Sequence, residues 1–333
     1  MMNPARKPDY SFQPCRQAGL SLVELMISLT IGLILLAGIT TLIARQSSTR
    51  SELEKSSRQI ENGRYAMQIL QDDIEHAGFY GEYSPPATAT YAVPADPCDT
   101  TVANLGWNSA TPAVPVAVHG YSGAAATPTC VANRLAGTAI LVVRRTATSE
   151  VDASAAVAGT AYLQASRCNT DAVSFVFWTG GFVLKEKDCV SLADLYKYIV
   201  RIYYVSSCSV VTGLGACADT IPTLKMVEFV DGAQTTIPLV EGIENMQFDY
   251  GIAASATSGS AASYTAAPAA ADWANVMTVR VNLLARNNDP TTGYIDTKTY
   301  TLGGASAVTP GGAYKRHVYS ELVRVINPSG RRE

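Results

Sequence analysis

A single carboxylate interrupts the first long apolar stretch of the chain. Residues 20–44 read LSLVELMISLTIGLILLAGITTLIA, and Glu24 is the only charged residue among them. An ionised carboxylate in hydrocarbon is costly unless it is paired or neutralised, so an acid at this depth predicts a functional contact with a cation. The alternative is that Glu24, close to the start of the run, extends to the membrane surface.

The sequence offers little for catalysis or for metal binding. It contains no G-x-S-x-G or H-E-x-x-H motif and no phosphate-binding glycine loop, and its histidines, His76, His119 and His317, are far apart. Residues 287–296, NNDPTTGYID, place oxygen ligands around a glycine but lack the ligand spacing and final Glu of an EF-hand, which favours a turn between strands. We therefore expect no enzymatic activity, no cofactor and no metal.

The element that must position Glu24 is a long helix. At about 1.5 Å per residue, the run at 20–44 spans roughly 37 Å, enough to cross a hydrocarbon core of about 30 Å. A secretory signal peptide would be shorter and would end at a small-residue cleavage site, whereas this run continues directly into Arg45 and a polar helix. The basic residues that precede the run predict a cytoplasmic N-terminus and an exported C-terminal body.

Residues 45–78 continue this helix as its exported, amphipathic part, with Gly78 as the expected end. A coiled-coil dimer is the alternative, but Gly63 interrupts the few heptads, which favours packing against the chain's own sheet. Together 20–77 form one predicted helix. Its apolar side chains recur at intervals of seven, seven, three and four residues, and the predicted stripe is Leu53, Ile60, Met67, Leu70 and Ile74.

After residue 78 the apolar period changes from that of a helix to that of strands. Strands are predicted at 138–145, 172–178, 196–205, 223–231, 245–251, 276–286 and 315–325. Loops are predicted at 84–128, 146–161 and 252–271, the last of them mobile. Alternation in MTVRVNLLAR at 277–286 indicates one buried and one exposed face. The predicted fold class is α+β: a long N-terminal transmembrane and amphipathic helix packed on an antiparallel β-sheet domain with long loops, residues 79–333.

The junction between the polar leader and the apolar run reads AGLSLVEL at residues 18–25. This string resembles the class III signal of type IV pilins and type II secretion pseudopilins, although the usual residue after the glycine is Phe and here it is Leu20. The resemblance implies a pilin-like fold, cleavage of the 1–19 leader after Gly19 by a prepilin peptidase, and N-methylation of Leu20. The amine of Leu20 would then supply a cationic partner for Glu24 of a neighbouring subunit in the membrane.

Three blocks in the C-terminal half narrow the resemblance. IPTLKMVEFVDG at 221–232, IPLVEGIENMQFDYG at 237–251 and DWANVMTVRVNLLARN at 272–287 are similar, in sequence and order, to PilW-type minor pilins, as is the closing VINPSGRRE. The resemblance implies a single-pass subunit of the bacterial inner membrane with a periplasmic C-terminus. Such a subunit primes type IV pilus assembly and lies at or near the pilus tip at the cell surface, in twitching motility and adhesion. Implied partners are other minor pilins, the major pilin, a large tip adhesin and the prepilin peptidase.

Two alternatives stay open. A J-type minor pseudopilin of a type II secretion system shares the leader, the helix and the loops, and neighbouring genes would distinguish it. A tip module whose loops at 84–161 bind a ligand or DNA is less favoured. The formal net charge is -3 and no basic run exceeds two residues, so we expect no nucleic acid as a partner.

The cysteines indicate an oxidising compartment. There are seven, and removal of the leader with Cys15 would leave six on the exported side, an even number that suits disulfides better than buried free thiols. No two have the C-x2-C spacing of a zinc site. Cys208 and Cys217 flank a glycine-containing turn that would bring them together, and adjacency along the chain gives the other pairs. The predicted disulfides are Cys208–Cys217, Cys168–Cys189 and Cys98–Cys130.

Overall fold

The computed structural model describes Gly19 and residues 21–333, so Leu20 and the leader before Gly19 lie outside the described residues. The described residues divide into two units, the first of which ends at Leu53 and the second of which is Glu54–Glu333. Helix α1, Leu22–His76, supplies its apolar part to the first unit and its polar part to the second. It ends before Gly78, whose φ of +72° is a conformation that favours glycine after a helix.

Thirteen strands and a short second helix follow α1 in the described residues. They are β1 (Thr90–Ala92), β2 (Ala113–Pro115), β3 (Val118–Tyr121), β4 (Ile140–Val151), β5 (Tyr162–Ala165), β6 (Phe175–Trp178), β7 (Leu195–Ser206), β8 (Thr223–Val230), β9 (Ala233–Glu241), β10 (Ile243–Ala253), β11 (Ala261–Thr265), β12 (Val276–Arg286), β13 (Arg316–Arg324) and α2 (Ile326–Gly330).

The strands form two large sheets and one small one. The larger sheet has the order β3-β4-β7-β5-β6, with β8 also paired to β7 and β9 to β8. The second has the order β11-β10-β12-β13, and every pair in these two sheets is antiparallel. Strands β1 and β2 form a separate parallel pair. The predicted α+β class with a long N-terminal helix and antiparallel sheets is confirmed.

The buried face of α1 differs from the predicted apolar stripe. Met67, Leu70 and Ile74 are buried as predicted, but the prediction was wrong for Leu53 and Ile60, which are 66% and 43% exposed. The buried residues of the helix are Gln59, Gly63, Ala66, Met67, Leu70, Asp73 and Ile74.

Polar and small residues take the place of Leu53 and Ile60 on the packed face. Gln59 Nε2 donates hydrogen bonds to the carbonyl oxygens of Ala285 (2.8 Å) and Lys315 (3.0 Å). Gly63 lies under the ring of Tyr319, which a Cβ at this position would overlap. Hydropathy spacing misses such residues, because their burial depends on partners in distant strands.

The larger sheet is covered on both faces. The inner core lies on the face toward α1 and includes side chains of α1, β4, β7, β8, β10 and β12, such as Leu70, Leu141 and Val281. The outer core lies on the opposite face, where residues of the 80–131 segment pack on β4, β7 and β8. Trp107 and Val114 are buried there.

Several predicted loops contain strands. The segment predicted as a loop at 84–128 contains β1, β2 and β3 and contributes to the outer core. Strand β4 extends to Val151, beyond its predicted end at 145 and into the loop predicted at 146–161. The loop predicted at 252–271 contains β11. Strands β5 and β9 were not predicted. β9 and β11 are mostly exposed edge strands and β5 has only four residues, so none of them carries a strong alternating apolar pattern.

Candidate subunit-assembly site

The apolar part of α1 is exposed along its whole length. Every large apolar side chain from Leu22 to Ile43 is more than half exposed in the described chain. Among the described helices, α1 has the length and composition needed to cross a membrane. An exposed, uncharged helix of this kind needs lipid or other apolar helices around it.

Glu24 lies in the first turn of α1. Its backbone N–H donates to Ser21 Oγ (3.2 Å), an N-cap contact, and Ser28 Oγ donates to its carbonyl oxygen (2.7 Å). The carboxylate itself is exposed and has no ion-pair partner among the described residues. It is therefore available to a cation of another chain, and the helix N-terminus favours its negative charge.

Gly19 lies three residues before Leu22, where α1 begins, and is exposed. A Cβ built on Gly19 would have no atom within 4 Å, so the described chain leaves the backbone here open to an enzyme. Leu20, the expected first mature residue, is outside the described residues.

The buried carboxylate of Asp73 links the polar part of α1 to the larger sheet by hydrogen bonds and ion pairs. Asp73, 3% exposed at its side chain, accepts hydrogen bonds from Arg145 Nε (2.8 Å), Arg201 Nη1 (2.9 Å) and Tyr203 OH (3.1 Å). Arg201 also binds Glu228 of β8 at 2.7 Å. Burial opposes the charge of Arg201, but the neighbouring carboxylates raise its pKa above the ordinary value. One side chain of α1 thus binds β4 and β7 together.

Two family models match the chain. Residues 202–327, from the middle of β7 to the start of α2, match PilW, type IV Pilus-assembly protein W, and residues 14–40 match the Prokaryotic N-terminal methylation motif. These matches support a PilW-type minor pilin. No curated protein and no solved structure matches the chain.

The two matches cover the N-terminal segment that carries the candidate site and the C-terminal strands β10, β12 and β13 of the second sheet. The methylation motif includes Gly19, Leu20 and Glu24. It implies assembly with other pilins and cleavage by a prepilin peptidase, and with the apolar helix it is consistent with inner-membrane anchoring and a pilus. The two matches together point to a structural pilus component, a kind of protein that is usually non-enzymatic.

Three disulfides join segments of the exported body. Their Cα separations lie in the normal range, and they connect the pairs that adjacency predicted: Cys98–Cys130 (5.6 Å), Cys168–Cys189 (5.1 Å) and Cys208–Cys217 (5.6 Å). The Cys98–Cys130 disulfide closes the segment that covers the outer core. This segment has few regular hydrogen-bonded strands of its own. Cross-linking limits how far such a segment unfolds.

The NNDPTTGYID stretch folds as a turn with its own polar contacts. Asn287 Nδ2 donates to the carbonyl oxygen of Asp289 (2.7 Å), and Asp296 accepts from Tyr300 OH (2.9 Å) and Arg316 Nη1 (2.8 Å). The carboxylate of Asp296 is therefore bound by side chains of the same chain. Within Gly19 and residues 21–333, no group of His, Cys, Asp and Glu is arranged to hold a metal ion.

His119 makes the stability of the protein depend on pH. Its ring packs against Trp273 (4.5 Å) and Tyr121 (4.9 Å), and its Nδ1 has no hydrogen-bond partner among the described residues. Burial, with a smaller effect of the Arg144 charge, lowers the pKa of His119 from 6.5 to about 4. Between these values the unfolded chain binds a proton that the folded chain does not, so stability falls as the pH falls through this window.

We expect the melting temperature of the detergent-solubilised protein to fall less between pH 7.5 and pH 4.5 after His119→Phe, which keeps an aromatic ring in the site. His317→Gln, at an exposed histidine, is the matched control and should keep the wild-type slope. Equal pH slopes for wild type and His119→Phe would contradict the prediction.

Proposed function

We propose that this pilin primes type IV pilus assembly at the inner membrane and lies at or near the tip of the fibre, where it serves twitching motility and adhesion. The observation that carries the proposal is the exposed apolar part of α1 with a carboxylate in its first turn, Glu24, that has no ion-pair partner among the described residues. A body with a PilW match supports the assignment to a minor subunit.

The chemistry of docking follows from cleavage after Gly19. A cut there leaves the amine of Leu20 at the start of the apolar helix, where a positive charge is costly without a partner. Glu24 of a neighbouring subunit offers that partner, and the ion pair is strong because the surrounding lipid and helices exclude water. The pair therefore favours one axial register between adjacent helices, which a fibre with helical symmetry needs.

The proposed position at or near the tip of the fibre also determines which other subunits would contact this chain. The major pilin and other minor pilins would contact α1, whereas a large tip adhesin would contact the exported body. The three disulfides fit a periplasmic body in an oxidising compartment.

Complementation of a deletion strain tests the proposal. We expect the deletion to lose surface pili and twitching, the wild-type gene to restore both, and Glu24→Ala to restore neither, because the neighbouring amine then has no partner. Thr40→Ala, which removes another polar side chain of the same helix, should restore both. Sheared fibres, immunoblots and twitching zones are the measurements.

Other outcomes would contradict the proposal. Normal piliation in the deletion strain with lost protein secretion would assign the chain to a type II secretion system as a J-type pseudopilin. Full restoration by Glu24→Ala would show that the carboxylate does not dock this subunit.

A further inference from the structure

Strand β13 is an open edge of the four-stranded sheet, since β12 is its only strand partner in the described residues. Its register with β12 is unbroken along all nine residues. Just beyond its two ends, Val325 N–H donates to the Met277 carbonyl (2.8 Å) and Asn287 N–H donates to the Lys315 carbonyl (3.2 Å). Hydrogen-bonded pairs alternate in an antiparallel ladder, so the odd-numbered residues of β13 bond to β12.

The even-numbered residues of β13 consequently point their backbone groups away from β12. In the middle of the strand these are Val318, Ser320 and Leu322. No backbone partner for them is found among the described residues outside the β12 pairing. Such a row of free N–H and C=O groups is a template for another strand, and proteins usually cover or blunt it.

A groove runs beside this free edge. Two cavities of about 510 and 550 Å³ share Arg64 of α1 and Tyr319 of β13. The first is lined by Tyr319, Ser320 and Glu321, whose side chains alternate between the two faces of the sheet, so it lies at the edge rather than over one face. Met67 of α1 forms part of its opposite wall. Ser320, the central one of the three residues with free backbone groups, thus lines a slot whose other wall is helix α1.

The slot carries both signs of charge in separate places. Arg64 is exposed where the two cavities meet, and no ion pair of Arg64 is found in the described part of the chain. Asp72 and Glu321 line the first cavity only, and among the described residues neither carboxylate forms an ion pair. An occupant with an acid near Arg64 and a base near the two carboxylates would be complementary.

Charge disfavours a symmetric pairing of β13 with a second copy about Glu321. A pairing centred on Glu321 would bring the two carboxylates together. Like charges directly opposite one another destabilise a strand pair.

We propose that this slot binds an extended segment of a neighbouring pilus subunit, which adds to β13 as a fifth strand. Backbone hydrogen bonds to Val318, Ser320 and Leu322 hold the segment, and its side chains select it by the charges of the slot. The identity of the partner as a pilus subunit rests on the proposed function.

A proline at a position of β13 whose N–H points away from β12 tests whether a partner binds the backbone of this edge, without disturbing the fold. Leu322→Pro removes an N–H that β12 does not use and puts a ring in the way of an added strand, whereas Leu322→Ala removes only the 51%-exposed side chain. We expect full-length Leu322→Pro to restore surface pili to the deletion strain about tenfold less well than wild type, and Leu322→Ala to restore them within about twofold. Both variants should melt within a few degrees of wild type in detergent, because neither breaks the β12–β13 ladder.

The outcomes separate this inference from the proposed function. If the deletion strain lacks pili and all three genes restore them equally, strand addition is wrong while the proposed function stands. Equal impairment by both variants would assign recognition to the Leu322 side chain instead of the backbone. A detergent-solubilised dimer in light scattering that Leu322→Pro dissociates would replace the partner subunit by a second copy of β13.

Discussion

Replacement of Gly19 by valine is expected to leave nearly all of the chain uncut in the membrane. The described chain has room for a side chain here, since no atom lies within 4 Å of a Cβ at this position, so the substitution should not disturb the fold. The effect would come from the peptidase, which must bring its catalytic groups to the bond after the glycine and so requires a close approach to the backbone. Mass spectrometry of the N-terminal peptide measures the outcome.

Gly38→Val is the matched control for this prediction. Gly38 also has no atom within 4 Å of a Cβ, but it lies within the apolar run, away from the cleavage site. The control should give a mature chain that begins at Leu20. Peptides that contain Cys15 in fibres of the wild type, or normal cleavage of Gly19→Val, would contradict the prediction.

The second large effect is on stability: substitutions at two adjacent arginines, Arg144 and Arg145, are expected to change the free energy of unfolding in opposite directions. Arg144 points into the outer core and is 1% exposed. Its Nη1 lies 3.5 Å from the Val116 carbonyl, and its Nη2 has no hydrogen-bond partner in the described chain. No carboxylate among the described residues pairs with it, and burial lowers the pKa of its guanidinium. Its desolvation is therefore poorly compensated.

Arg145 points to the other face of the same strand and binds Asp73 of α1. We expect Arg144→Met to stabilise the protein by about 1 to 3 kcal/mol, since a side chain of similar length fills the site without a charge. Arg145→Met should destabilise it by about 2 to 3 kcal/mol, because Asp73 then keeps only Arg201 and Tyr203.

Thermal unfolding of the two full-length variants in detergent at neutral pH compares them directly. Each variant is the control for the other, since both remove one positive charge from β4. Destabilisation by Arg144→Met to the same extent as by Arg145→Met would show that the Arg144 charge is compensated in the native protein.

Features that depend on neighbours along the chain were predictable from the sequence. The apolar run at 20–44 and the spacing of Gly19 and Glu24 are local patterns, and they led to the pilin class that the family models support. Strands such as β12, with one buried face, show their alternation directly. The cysteine pairs are also close in sequence, with separations of 9 to 32 residues.

Other features depend on contacts between distant residues, and only the tertiary structure decided them. Gln59 and Asp73 face the sheets because their hydrogen bonds are completed by strands 72 to 256 positions away. The 84–128 segment is buried in part because it packs on the apolar second face of the larger sheet. The open edge of β13 is likewise a property of strand order. From the sequence alone a polar residue is expected to be exposed. Its burial becomes favourable only when a distant partner satisfies its hydrogen bonds.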